Sequence, residues 1–192
     1  MSVLVFDTET DGIGGFDPPT QRVVQLAWDL DGHTTSHLIR DVAAINPAVP
    51  HSITVEDCRE RGVDFEEAFA GFMDALRRCD IVVAHNMHFD EGELLHELRL
   101  RNIPDGELFT LIQDKCRLCT KLATTEFCQL PKTGAGAKYG GYKWPTLGEL
   151  YFKLVGAEPQ LQLHDAYNDV KVLRECVTLM QANPLFAECF AV

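Results

Sequence analysis

Apolar residues crowd the first segment, Val3-Leu4-Val5-Phe6, and break off at Asp7. This predicts a buried strand ending at the first acid. Asp11-Gly12-Ile13-Gly14-Gly15 and Asp17-Pro18-Pro19 predict a loop. Residues 22–30 and 34–39 flank Asp31-Gly32, a dipeptide that favours tight hairpin turns. The first three strands therefore read as an antiparallel meander. Beyond them the apolar period lengthens. Thr54, with Asp57 three residues on, predicts the N-cap of a short helix over 54–61. Asp64, with Glu67 three residues on, predicts a second helix start, and Ala68, Phe69, Phe72, Met73 and Leu76 follow at helical spacing. Ile81-Val82-Val83-Ala84 reads as a short buried strand, and 89–101 as a helix with Leu94, Leu95 and Leu98 inward. Residues 108–118 are ambiguous and hold the candidate fifth strand. Residues 129–144, rich in Gly, Lys and Tyr, read as a long loop. Thr146-Leu147-Gly148-Glu149 is a capping box that restarts a helix. The last helix is expected over 165–180, with Val170, Leu173, Val177 and Met180 on one face. Without an internal repeat or a linker, the pattern predicts one α/β domain over 1–192, carrying a basic Gly/Lys/Tyr-rich loop at about 129–145.

Composition narrows the class. The 192 residues are 46% hydrophobic and 24% charged, which suits a soluble globular protein. No apolar run approaches the ~20 residues that span a bilayer, so no membrane partner is expected. The N-terminal run lacks a basic flank and is too short for a signal peptide, so the expected compartment is the cytoplasm. The seven cysteines are then expected as reduced thiols. Cys116 and Cys119 form one C-x-x-C pair. Neither a second pair nor an obvious fourth ligand beyond Cys128 accompanies it, which favours ordinary thiols over structural zinc. The net charge of −12 argues against non-specific wrapping of duplex nucleic acid. The charge is uneven, however. Residues 115–153 hold seven basic and two acidic side chains, a local +5 that leaves −17 on the rest. A basic patch on an acidic protein suits an enzyme that holds a strand end briefly.

The acids carry the chemistry. Asp7 and Glu9 lie two apart, and period-2 geometry sends both to one face of a strand. Two carboxylates forced together repel unless a cation intervenes, and such oxygen donors suit Mg²⁺ or Mn²⁺. The bland alternative is a solvated strand end. Asp90 follows the strand at 81–84, where it could merely complement a helix dipole. The same holds for Asp169 at the start of the last helix. His164 stands five residues before Asp169 and could be only a cap-region residue. Beside a carboxylate cluster, an imidazole is suited to accept a proton from water at neutral pH.

Each motif alone has an ordinary explanation, but their order along the chain is more specific. Phe6-Asp7-Thr8-Glu9-Thr10, His85-Asn86-Met87-His88-Phe89-Asp90 and the His164…Asp169 spacing together resemble the DnaQ-like (DEDDh) 3′–5′ exonucleases over nearly the whole chain. The sister subclass places a tyrosine four residues before the final aspartate. Here that position is Asp165, and Tyr167 is out of place, so the histidine subclass fits. The resemblance implies a ribonuclease-H-like fold: a five-stranded mixed sheet, its first three strands antiparallel, with helices on both faces. It implies two divalent ions, Mg²⁺ or Mn²⁺, with Asp7 bridging both, Glu9 and Asp169 completing the first site and Asp90 supporting the second. His164 would be the general base, and the products 5′-nucleoside monophosphates. The implied partner is a nucleic acid with a free 3′ end, expected as single-stranded or frayed DNA, and a DNA polymerase could be engaged in trans for proofreading. An RNA-directed exonuclease of the same mechanism, or a non-catalytic polymerase-associated binding module, are the alternatives.

The resemblance places Thr8, Thr10 and Ile13 near the terminal nucleotide and Asn86 near the sugar–phosphate. The segment Lys138-Tyr139-Gly140-Gly141-Tyr142-Lys143-Trp144 is basic and aromatic, so Tyr142 and Lys143 are candidates for base stacking and phosphate contact. The alternative is a surface loop whose Trp144 packs into the core. Gly134-Ala135-Gly136-Ala137-Lys138-Tyr139-Gly140 is neither G-x-G-x-x-G, since Tyr139 fills the third glycine position, nor a Walker A loop.

Overall fold

A computed structural model of the protein describes residues 1–13 and 21–191. A five-stranded sheet runs in the order β3-β2-β1-β4-β5. Its strands are β1 (Val3–Thr10), β2 (Val23–Leu30), β3 (His33–Leu38), β4 (Ile81–Ala84) and β5 (Cys116–Cys119). The first three pair antiparallel, whereas β4 joins β1 and β5 joins β4 in parallel. The hairpin turn falls at Asp31 and Gly32, both at positive φ, as a primed turn requires. The loop expected around 14–19 lies outside the described residues.

Alternation along β1 divides the core in two. Leu4 and Phe6 join one apolar cluster, with α1 (Val55–Arg61), α2 (Phe65–Arg78), α3 (Met87–Leu100) and α4 (Gly106–Asp114). Val3 and Val5 join the other, with α7 (Leu147–Val155) and α8 (Ala166–Gln181). Helices thus cover both faces, as the ribonuclease-H-like expectation requires. Two short helices, α5 (Thr120–Ala123) and α6 (Thr125–Cys128), follow β5 directly. The ambiguous stretch over 108–118 resolves into the end of α4 and the start of β5. Residues 129–145 hold a 3₁₀ turn at Gly134–Tyr139 and an isolated bridge between Pro131 and Tyr142.

Local signals explain most boundaries. Thr54 and Asp57 form the capping box of α1, and Thr146 and Glu149 that of α7. Asp64 precedes α2, but its side chain caps nothing. It meets Arg40 instead, at 3.3 Å. The largest departure from expectation is β1, which continues through both acids to Thr10. Its β-branched Thr8 and Thr10 pair with β2 through Leu26 and Val23. No described helix is long and apolar enough to cross a membrane.

One buried ion pair fixes α8 over the sheet. Arg174 donates to Asp29 Oδ1 at 2.5 Å and to the carbonyl oxygens of Val3 and Asp29 at 2.6 and 2.8 Å. Asp29, only 2% exposed, also accepts from Gly32 N and Thr34 Oγ1. Arg174→Met leaves that carboxylate buried without its cation. It is expected to lower the unfolding free energy by about 3 kcal/mol, read by urea denaturation. A loss below ~1 kcal/mol would show that the pair does not hold the helix.

Candidate active site

The site sits where β1 and β4 part. Their ladder joins Val3–Val5 to Ile81–Val83, and beyond Val5 the edge of β1 turns to side chains. Thr8 donates its backbone N–H and its hydroxyl to Asp90 Oδ1, at 3.0 and 2.9 Å. Asp90 enters from the first turn of α3 and is 2% exposed. Asp7 and Glu9 share the face of β1 that carries Val3 and Val5, and so point toward α8. Asp169 stands in the first turn of α8.

His164 completes the arrangement through its backbone. Its φ is +66°, a left-handed conformation costly for a side chain with a Cβ. Its N–H points at both Asp169 carboxylate oxygens, at 3.2 and 3.3 Å. One imidazole nitrogen and one oxygen each of Glu9 and Asp169 all lie within 4.8 Å of one another. Asp165 caps α8 by accepting from Asn168 N.

Burial, reinforced by neighbouring charge, shifts the carboxyls of Asp7, Glu9, Asp90 and Asp169 upward. Burial is the largest cause for Asp7, reinforced by Asp90, Asp169, Glu9 and Asp165. Glu9 is pushed to about 8, by burial and then by Asp169, Asp90 and Asp165. Asp90 rises to about 7 by burial, against the two hydrogen bonds from Thr8. Asp169 also reaches about 7, by burial and Asp165, against the N–H of His164. Oxygen donors that resist ionising together match the chemistry of a divalent cation site. Asp7, Glu9, Asp90 and Asp169 are the residues that would hold the ions.

These side chains line a cleft of about 520 Å³, a size suited to a small ligand. His85, Asn86, Lys121 and Trp144 to Leu147 line the same cleft. His85, the first residue of the second motif, is fixed at both ring nitrogens. Its Nε2 faces the Pro145 carbonyl at 3.0 Å, so Nε2 carries the proton and Nδ1 accepts from Thr120 Oγ1 at 3.0 Å. Burial pushes its pKa down to about 4, which keeps it neutral.

Thr8 and Asn86 line the cleft, as does Phe89. Thr10 lies behind it, with its hydroxyl on the Gly12 carbonyl and its own carbonyl facing His51 at 2.8 Å. Ile13 is exposed and does not line the cleft. Tyr142 and Lys143 do not line it either: Tyr142 bridges to Pro131, and Lys143 pairs with Glu149 at 2.7 Å. Trp144 does line it and is 59% exposed rather than packed in the core. Gln25 is a residue that sequence reasoning missed. It is the cross-strand partner of Glu9, and its Oε1 accepts from Ala166 N at 2.9 Å, tying the start of α8 to the sheet. The signal was an amide flanked by the buried apolar residues Val23, Val24, Leu26 and Ala27.

Solved structures share this architecture. The nuclease domain of 3′hExo, a DEDDh family member bound to rAMP, aligns with a TM-score of 0.68 at 12% identity, over 96% of this chain and 94% of that one. A 3′-exonuclease in 3′-end-specific recognition of histone mRNA stem-loop gives 0.66 at 13% identity, over 98% of this chain and 64% of that one. Cell-death related nuclease 4 (CRN-4) gives 0.62 at 12%, over 94% and 64%. The shared property is the fold. No protein-family model and no curated protein matches the sequence.

The raised carboxyls set a pH dependence. Between about pH 4 and 8 these carboxyls bind more protons in the folded, metal-free protein than in the unfolded chain, so their contribution lowers stability as pH rises and outweighs the opposite one of His85. In EDTA the thermal midpoint is expected to drop from pH 5 to pH 8. Mg²⁺ or Mn²⁺ is expected to raise it, more at pH 8 than at pH 5. A midpoint that climbs over that range without metal would contradict the mutual repulsion.

Proposed function

We propose that the protein is a metal-dependent 3′–5′ exonuclease of the DEDDh type, releasing 5′-nucleoside monophosphates from a single-stranded or frayed 3′ end. The observation that carries this is the convergence of Asp7, Glu9, Asp90 and Asp169 with His164 at the parting of β1 and β4. The shared fold of nuclease domains supports it. Two bound divalent ions would polarise the attacking water and neutralise charge on the phosphate and the leaving 3′-oxygen. Asp7, Glu9 and Asp169 are proposed to hold the ion on the water side, with Asp7 shared. Asp90, kept in place by Thr8, would support the second. His164, on the exposed side of Glu9 and Asp169, takes the proton from the water. Its backbone tether to Asp169 keeps the ring at the site while leaving its outer edge open to solvent.

DNA is the proposed substrate, and a polymerase remains the candidate partner in trans. A second reading, an exoribonuclease of the same mechanism, draws support from the rAMP and histone mRNA stem-loop in the similar structures. A panel of 5′-labelled DNA and RNA oligonucleotides of one sequence, with Mg²⁺ or Mn²⁺ and with EDTA, tests both. Metal-dependent shortening from the 3′ end is expected, and its absence on both sugars would leave only a binding module.

Asp7→Ala is expected to remain folded by circular dichroism and to abolish hydrolysis; full activity would remove Asp7 from the mechanism. His164→Ala should keep metal binding and lose roughly 10²–10⁴-fold in kcat. An unchanged rate would exclude the general-base role.

A further inference from the structure

An exposed tryptophan on a fixed backbone calls for an explanation. Burying an aromatic of this size is strongly favourable, yet Trp144 leaves 59% of its surface in solvent. Its neighbours are secured on both sides. Lys143 N–H bonds the Leu130 carbonyl at 2.9 Å, and Lys143 Nζ meets Glu149. The Pro145 carbonyl accepts from neutral His85, and Thr146 is locked in the capping box of α7. Lys121 is secured by the same histidine, since its N–H donates to the His85 carbonyl at 3.0 Å. The Lys121 ammonium lies 4.9 Å from the centre of the indole ring, and both side chains line the cleft that the acids also line. One half-buried histidine thus anchors both segments that bring an aromatic plane and a cation together in the cleft of the carboxylates.

We propose that Trp144 and Lys121 form a subsite for the strand just upstream of the scissile bond: the indole stacks the penultimate base, and the ammonium meets the next phosphate. The subsite rests on the exonuclease reading. The charge decides which side of the scissile bond it serves. A 3′-terminal nucleotide carries only the scissile phosphate and a hydroxyl, whereas the strand on its 5′ side continues through a further phosphate. A cation beside the stacking plane therefore fits the continuing side. Stacking needs an unpaired base with an open face, so the subsite selects single strands, and it accepts any base. In the free protein Lys121 lies against the indole, a contact that an incoming base and phosphate would replace.

Two measurements test this. The first compares kcat/KM on a single-stranded oligonucleotide with kcat/KM on thymidine 5′-monophosphate p-nitrophenyl ester, which has no penultimate base. Trp144→Ala is expected to lower the ratio of the two by about tenfold, and Trp144→Phe to recover most of it. Equal losses on both substrates, or no loss, would overturn the subsite. Lys121→Ala is expected to flatten the log–log salt dependence on the oligonucleotide by about 0.7, the value of one phosphate contact; an unchanged slope would remove its phosphate role. The second measurement is indole fluorescence on titration with the oligonucleotide in Ca²⁺, where the other tryptophan, Trp28, is buried. Quenching that disappears in Trp144→Phe supports the subsite, and unquenched emission overturns it. Quenching without any hydrolysis in Mg²⁺ or Mn²⁺ would refute the exonuclease reading, and with it the subsite's place beside a scissile bond, and would leave only a single-strand stacking contact at Trp144.

Discussion

The arrangement depends on a repulsion that the fold tolerates. Four carboxyls from three elements line one cleft at the end of a parallel ladder, and burial, with charge from neighbouring acids including Asp165, raises all of them. Such a cluster destabilises the metal-free protein wherever the groups ionise. It persists because each member is held by something else. Asp90 is gripped by the backbone and hydroxyl of Thr8. Asp7 and Glu9 are built into a strand paired along its other edge with β2. Asp169 rides on a helix fastened to the sheet by Arg174 and by Gln25. A cation bound there would turn the same crowding into affinity.

The remaining buried acids on α3 show the contrast. Glu97, fully buried, is met by both Arg22 and Arg101. Glu91 pairs with Arg117. These are acids with protein cations beside them, and they act as fastenings. Glu93 lies between the two regimes. Gln21 donates to one of its oxygens at 2.6 Å, and burial pushes its pKa to about 8. At neutral pH it is therefore held protonated, which removes the cost of a buried charge. Among the described residues no ion pair joins Asp7, Glu9, Asp90 or Asp169 to a lysine or arginine, and that sets them apart chemically from Glu91 and Glu97.

Much of this was legible in the chain because the signals were local. The Asp31-Gly32 turn, the capping boxes of α1 and α7, and the apolar runs of β1 and β4 each depend on a few adjacent residues. The acids were legible through their order and spacing, and Asp7 and Glu9 through the simple alternation of a strand. The rest of the cleft lining was not. Lys121 and Trp144 are 23 positions apart in the sequence, and His85 bonds to both of their segments. A basic, aromatic composition pointed to the correct stretch. It could not say that Lys143 would be taken by Glu149 and that Trp144 would turn outward. Gln25 was hidden for the same reason, since its partner on α8 lies 141 residues away.

We propose that the carboxyls of Asp7, Glu9, Asp90 and Asp169 form one cation site, kept partly protonated by burial and by the charge of neighbouring acids. Proton release on Mn²⁺ binding tests it most directly, measured at pH 7 by titration calorimetry in buffers of different ionisation enthalpy. The account predicts that Mn²⁺ displaces protons from the wild-type protein and that Asp7→Asn reduces both the affinity and the number released. Binding without proton release, or release that is unchanged in Asp7→Asn, would contradict it.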